Sequence, residues 1–255
     1  MPLTLRVIAC LDVADGRVVK GTRFLNLNDA GDPIHLAKKY YLEGFDEITL
    51  LDVNASKEKR FTIADLVRQT AETVFIPLTV GGGISEVSHV ADLLASGADK
   101  VSVSSAALYN PDLISRIADR FGSQVLVLSM DLKRSKTTSS GFVATSHGGS
   151  RESGIDGLEW VLKAQTLGAG ELLINSIDRD GTGDGFDLEL LESVLAIAKV
   201  PVVASGGAGS ADDFRKAADI GVDAALAAGI FHRNEVSVSE VKNILSASNH
   251  FVRGL

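Results

Sequence analysis

Eight short apolar runs, each followed by an amphipathic segment, recur along this chain, and the second half of the series repeats the first. The runs cover residues 5–11, 47–51, 76–80, 100–103, 125–130, 171–174, 200–204 and 224–227. They are rich in Val, Ile and Leu and do not strictly alternate, as expected of parallel strands buried on both faces. Helical spacing of three to four fills the intervals at 33–43, 63–73, 87–96, 111–121, 157–167, 188–197, 211–220 and 238–245. Asp32-Pro33, Asn110-Pro111 and Ser210 read as helix starts, and Gly44, Gly97, Gly168 and Gly221 as stops. Ile8-Ala9-Cys10-Leu11-Asp12 aligns with Val127-Leu128-Ser129-Met130-Asp131 at an offset of 119. Val101 to Ala107 aligns with Ala225 to Phe231 at 124. The expectation is a (β/α)8 barrel of the TIM type, one domain over 1–255, built from half-barrels at about 1–122 and 123–255. An open doubly wound sheet would carry a glycine-rich turn after its first strand, where Leu11-Asp12-Val13 stands instead.

A repeated barrel should carry two equivalent sites on one rim. Gly81-Gly82-Gly83 and Gly206-Gly207 follow the third and seventh runs. Backbone without Cβ lets N–H groups approach a phosphate. The fourth and eighth runs end in the small pairs Ser104-Ser105 and Ala228-Gly229. Two such clusters at matching places imply a substrate with a phosphate at each end. The glycines can also simply make tight turns.

Asp12 and Asp131 end the first and fifth runs, which lie across a barrel from one another. Two carboxylates facing each other over a pocket suit general acid and general base work. The bland reading has them cap loops or pair with Lys20, Lys133 or Arg134. After the sixth run, Asn175, Asp180, Gly181 and Thr182 are candidate binding groups, as are Asp52 and Asn54 after the second. Lys20 opens the first of two long connections, 16–31 and 133–153, which read as lids over the mouth. At the opposite ends of the strands stand Arg6, Glu47, Lys100 and Glu171. They either form a ring of ion pairs or stand as solvated rim charge, and composition alone favours the second.

Other chemistries find no support. Lys plus Arg number 25 against 33 Asp plus Glu, a net charge of −8, which argues against nucleic-acid or anionic-membrane surfaces. No apolar run approaches the ~20 residues of a spanning helix, and the N-terminus has no secretory signature. Cys10 is the sole cysteine, excluding an intrachain disulfide and fitting a reducing cytoplasm. His35, His89, His147, His232 and His250 show no metal spacing, so neither a metal nor an organic cofactor is expected. Nucleotide-binding loops and the Gly-x-Ser-x-Gly elbow are missing, and Trp160 reads as helix packing.

The segments Cys10-Leu11-Asp12-Val13, Asp15-Gly16-Arg17-Val18-Val19-Lys20-Gly21, Gly31-Asp32-Pro33, Val80-Gly81-Gly82-Gly83-Ile84, Ile177-Asp178-Arg179-Asp180-Gly181-Thr182 and Ala204-Ser205-Gly206-Gly207-Ala208-Gly209 together resemble the cyclase subunit of imidazole glycerol phosphate synthase. The resemblance covers essentially the whole chain. It implies an enzyme of histidine biosynthesis. Ammonia from a partner glutaminase reacts there with a bisphosphorylated ribulosyl aminoimidazole carboxamide ribonucleotide, giving imidazole glycerol phosphate and the aminoimidazole carboxamide ribotide. It implies catalytic aspartates at Asp12 and Asp131, with Asp12 as base and Asp131 as acid one division of the roles and the reverse the other. It also implies an ammonia gate at Arg6, Glu47, Lys100 and Glu171, under a glutaminase forming a heterodimer at the N-terminal face, which reverses the rim-charge reading. The chain departs from the family at Ser104-Ser105, Asn54, Asn175 and Ser129-Met130. Ser104, Ser105 and Asn175 are similar to ammonia-dependent paralogues of bacterial surface-sugar biosynthesis, the alternative reading. The sister isomerase of the pathway needs no ammonia and so no charged ring. A non-catalytic phosphate-binding scaffold needs no paired aspartates.

Overall fold

The computed structural model describes residues 4–22, 25–53 and 64–254, with the side chains of 20–28 left aside. Twelve strands are described: β1 Arg6–Ala14, β2 Arg17–Thr22, β3 Leu25–Gly31, β4 Glu47–Asp52, β5 Leu78–Gly81, β6 Lys100–Val103, β7 Leu126–Arg134, β8 Phe142–Ser146, β9 Arg151–Asp156, β10 Glu171–Ser176, β11 Val202–Ser205 and β12 Ala224–Ala227. Eight of them, β1, β4, β5, β6, β7, β10, β11 and β12, pair in parallel in that order, and β12 returns to β1 through Arg6↔Ala224. The sheet therefore closes into the (β/α)8 barrel that the eightfold alternation predicts.

The helices are α1 Pro33–Glu43, α2 Ala64–Ala71, α3 Val87–Ala95, α4 Ser105–Tyr109, α5 Asp112–Phe121, α6 Gly157–Thr166, α7 Leu188–Leu195, α8 Ala211–Asp219, α9 Gly229–His232 and α10 Val238–Ala247. Local chemistry sets their ends. The Asp32 carboxylate accepts the His35 N–H at 2.8 Å, and Gly44 closes α1 in the left-handed region at φ 93°. Ser210 and Asp213 form a reciprocal capping box on α8.

The strands are buried on both faces, which is why their hydrophobicity does not alternate. On β1, Val7, Ala9 and Leu11 pack outward into the shell beneath the helices. Ile8 and Cys10 point inward and meet Val127, Leu173, Val203 and Leu226 in the lumen. Two strands begin later than their apolar runs suggest, at Leu78 and Val202. Pro77 and Pro201 precede them and cannot donate to the ladder. Their carbonyls accept from Ile48 and Leu172 at 3.0 and 2.9 Å instead.

The two long connections need correcting. They are largely paired strands rather than loops. β1 continues into the antiparallel arm β2–β3, and β7 continues into β8–β9. Val18-Val19 and Phe142-Val143 are strand formers, but each stretch is too short beside its turn residues to stand out as a run. Both halves thus make the same excursion after their first barrel strand.

Candidate active site

β1 and β7 carry their aspartates to the C-terminal mouth of the barrel, where a cavity of about 600 Å³ opens. Asp12 and Asp131 both line it, together with Asn175, Asp180, Gly181, Gly206, Gly207, Ala228 and Gly229. The pairing register gives each aspartate a neighbour on the next strand, Leu51 beside Asp12 and Asn175 beside Asp131.

The two carboxyls live in different surroundings. Asp12 is buried, and the Cys10 thiol donates to its Oδ1 at 3.4 Å. Asp131 faces the cavity but is otherwise enclosed by protein. That burial, with the negative charge of Asp180 as a smaller cause, pushes its pKa up from 3.8 to about 6. Opposing this, the Asn175 amide donates to Asp131 Oδ1 at 2.9 Å, and Ser205 donates to Asn175 Oδ1 at 3.3 Å.

The second-half glycines form the floor of this cavity wall. Gly207 sits at φ 107°, and a Cβ there would lie 2.2 Å from the Gly185 carbonyl oxygen. Only glycine combines that backbone with that approach. Gly82 sits at φ 107°, where a Cβ would meet the Asp52 carbonyl oxygen at 2.4 Å, and its mate at an offset of 124, Gly206, sits at φ 86°, where a Cβ would meet the Ser176 carbonyl oxygen at 2.8 Å. The repeat is therefore reproduced in backbone conformation.

The cavity nonetheless belongs mainly to the second half. Gly82, Gly83, Ser104 and Ser105 are not among the residues lining it. Ser105 Oγ instead accepts the His147 N–H of the β8–β9 turn at 3.0 Å. Lys20 lies on β2, its side chain outside what is described, and Asn54 lies outside the described residues. Thr182 donates to the Arg179 carbonyl at 2.8 Å, the ordinary turn contact. The wall also contains groups the sequence did not single out: Asp29 and Ala30 from β3, and His232 and Arg233 at the end of α9. The Tyr40 hydroxyl lies 2.6 Å from His232 Nδ1, tying that segment to α1.

At the other end, four charged residues close the barrel floor. Arg6 Nη1 donates to Glu47 at 2.9 Å and Nη2 to Glu171. Lys100 Nζ lies 2.7 Å from each of the two glutamates, and Thr79 donates to Glu47 at 2.6 Å. Each anion touches both cations. Burial opposes ionisation of Glu171, but Lys100 and Arg6 outweigh it and hold the carboxyl below its usual range. The rim-charge reading from composition is thus replaced by a ring of ion pairs.

Among the described residues no group of three or more His, Cys, Asp or Glu side chains is placed to hold a metal ion. No described helix is long and apolar enough to cross a membrane.

Comparison with known proteins adds an independent line. The family model described as "Histidine biosynthesis protein" matches residues 6–237. Curated relatives named imidazole glycerol phosphate synthase subunit HisF include one from Leifsonia xyli, 57% identical over 253 residues, covering 99% of this chain and 100% of that protein. The protein of that name from Salinispora tropica is 58% identical over 255 residues, and that from Bifidobacterium adolescentis 55% over 256, with the same coverage of both chains. An eight-stranded barrel with paired mouth aspartates and full-length likeness of this order place the chain in the histidine biosynthesis protein family.

Proposed function

We propose that this chain is the cyclase subunit of imidazole glycerol phosphate synthase. It uses ammonia to convert the bisphosphorylated ribulosyl aminoimidazole carboxamide ribonucleotide to imidazole glycerol phosphate and the aminoimidazole carboxamide ribotide. The observation that carries the reading is the pair Asp12 and Asp131 at one cavity, in unlike environments. A carboxyl whose pKa is raised to about 6 keeps its proton to higher pH than an ordinary carboxyl and suits the acid, which gives Asp12 the role of base. Gly206, Gly207, Ala228 and Gly229 hold one terminal phosphate by backbone N–H groups, aided by Gly181. Gly82, Gly83, Ser104 and Ser105, with Lys20, hold the other. Asn175 and Asp180 set the charge state of Asp131.

The relatives are named as subunits of a synthase. We read the missing partner as a glutaminase docked on the N-terminal face, delivering ammonia through the Arg6–Glu47–Lys100–Glu171 ring into the lumen. Phe75 and Phe251 support that face as a contact surface. They are 76% and 59% exposed, at chain segments leading into β5 and packed beside the start of β1. The surroundings of such a soluble metabolic reaction would be the cytoplasm. The surface-sugar reading is set aside, since the relatives are named for the histidine enzyme.

The test is turnover of the purified chain with the bisphosphorylated substrate and ammonium salts at alkaline pH. Loss of substrate with appearance of both products is expected. Asp12→Asn should lower kcat by roughly 10²–10⁴ while sparing affinity. An unchanged rate would sink the base assignment.

A further inference from the structure

The cavity is electrostatically ill suited to a bisphosphorylated ligand, and one side chain offsets this. Four carboxylates line it, Asp12, Asp29, Asp131 and Asp180. Among the described residues that line it, the one permanent cation is Arg233. Its guanidinium is held side-on by Glu235, with Nε donating to Oε1 at 2.7 Å and Nη2 to Oε2 at 2.8 Å. That fork leaves Nη1, which has no hydrogen-bond partner among the described residues and turns towards Gly229. A Cβ on Gly229 would lie 2.7 Å from Nη1 and 3.5 Å from Cζ. Gly229 does not adopt the left-handed conformation, so its backbone does not demand glycine. What the absent Cβ leaves room for is the guanidinium, against the last residues of the Gly206–Gly207–Ala228–Gly229 cradle.

The repeat shows that this device occurs once. Tyr109 stands at the position equivalent to Arg233, 124 residues earlier, just as Ser105 stands for Gly229. It is neutral, and its hydroxyl lies 2.8 Å from Ser146 Oγ of the β8–β9 arm. The second-half cradle thus carries an arginine where the first half has a tyrosine.

We propose that Arg233, through Nη1, is a ligand for one terminal phosphate in the second-half cradle. The proposal rests on the two-phosphate reading above. Guanidinium and phosphate make charge-assisted hydrogen bonds. Glu235 presets the side chain, so little rotamer freedom remains to be lost on binding.

Arg233→Gln and Arg233→Lys separate this from a structural pairing with Glu235. Inorganic phosphate is titrated calorimetrically into each protein, and KM and kcat are measured with the bisphosphorylated substrate and ammonium salts. Arg233→Gln should weaken one of two phosphate sites about tenfold and raise KM about tenfold, with kcat within about twofold. Arg233→Lys should recover part of the loss, and thermal melts should match. Unchanged phosphate affinity and KM in Arg233→Gln overturns the proposal. So does equal weakening at both sites, or a wild-type protein that takes up no phosphate. Wild-type phosphate binding that depends on Arg233 without any turnover would leave Arg233 as a phosphate ligand and overturn the cyclase reading instead.

Discussion

Asp131→Asn should make the protein more stable and inactive at once, and the gain should depend on pH. The carboxyl titrates near 6 in the folded chain against 3.8 ordinarily. Its folded pKa is raised, so the fold is favoured while the group is protonated and is disfavoured as pH rises through about 6. A gap of about two pH units, at ~1.4 kcal/mol each, places the penalty at about 3 kcal/mol above pH 7. Well below 3.8 the group is neutral in both states and the penalty is gone. Asparagine keeps the Oδ1 acceptor for the Asn175 amide at 2.9 Å, removes the buried charge and relieves the repulsion from Asp180. Urea unfolding of both proteins at pH 8, 6 and 4 is the assay. The expected difference is about 3 kcal/mol at pH 8, roughly 6–12 °C in melting temperature, and mostly lost at pH 4. A difference that is flat with pH, or a variant less stable at pH 8, would refute the argument that burial strains this carboxylate.

Three further perturbations follow from other parts of the barrel. Lys242→Met strands the Asp46 carboxylate, which the ammonium now meets at 2.7 Å in a buried pair, and should cost about 3–5 kcal/mol in urea unfolding, most of it recovered by adding Asp46→Asn. Gly207→Ala forces a Cβ to 2.2 Å from the Gly185 oxygen at φ 107° and should cost at least ~2 kcal/mol, with weaker inorganic phosphate binding by calorimetry. Lys100→Met removes one of the two cations that both glutamates share, so glutamine-supported turnover in the assembled complex should fall several-fold while turnover on ammonium salts persists. Equal loss with both nitrogen sources would count against a gate.

The barrel was legible because its signal is periodic and double: eight buried strands, and an offset near 124 that pairs Pro77 with Pro201 and Glu47 with Glu171. What escaped was short or came from outside the repeat. α4 and α9 are five and four residues long, too brief to show helical spacing. The arms β2–β3 and β8–β9 hid because strand formers there are broken by turn residues. Asp12 and Asp131 could be found, since a carboxylate ending an apolar strand is costly without a use. Arg233 could not: nothing local marks it, its mate in the repeat is a tyrosine, and its relation to Gly229 appears only when the chain is folded. The charged ring shows the same limit. Its anions are repeat mates, but both cations come from the first half, so symmetry points to half of it.

The repeat also isolates one difference between the surroundings of the two aspartates. Leu51 and Asn175 are mates at an offset of 124, and each is the ladder neighbour of one aspartate. Asn175→Leu therefore gives Asp131 the neighbour that Asp12 has. The variant deletes the hydrogen bond that opposes desolvation and adds apolar surface beside the carboxyl. A hydrogen bond to a charged group contributes roughly 1.5–3 kcal/mol, which corresponds to moving the titration upward by roughly one to two pH units. Carboxyl ¹³C shifts followed against pH, with Asp131→Asn identifying the resonance, read this directly. An unmoved or lowered midpoint would mean that Asn175 does not hold the carboxylate. A midpoint carried towards 7 or 8 would mean that Asn175 restrains the rise that burial and Asp180 impose, so that this one ladder position, leucine in the other half of the barrel, keeps the midpoint of Asp131 near 6.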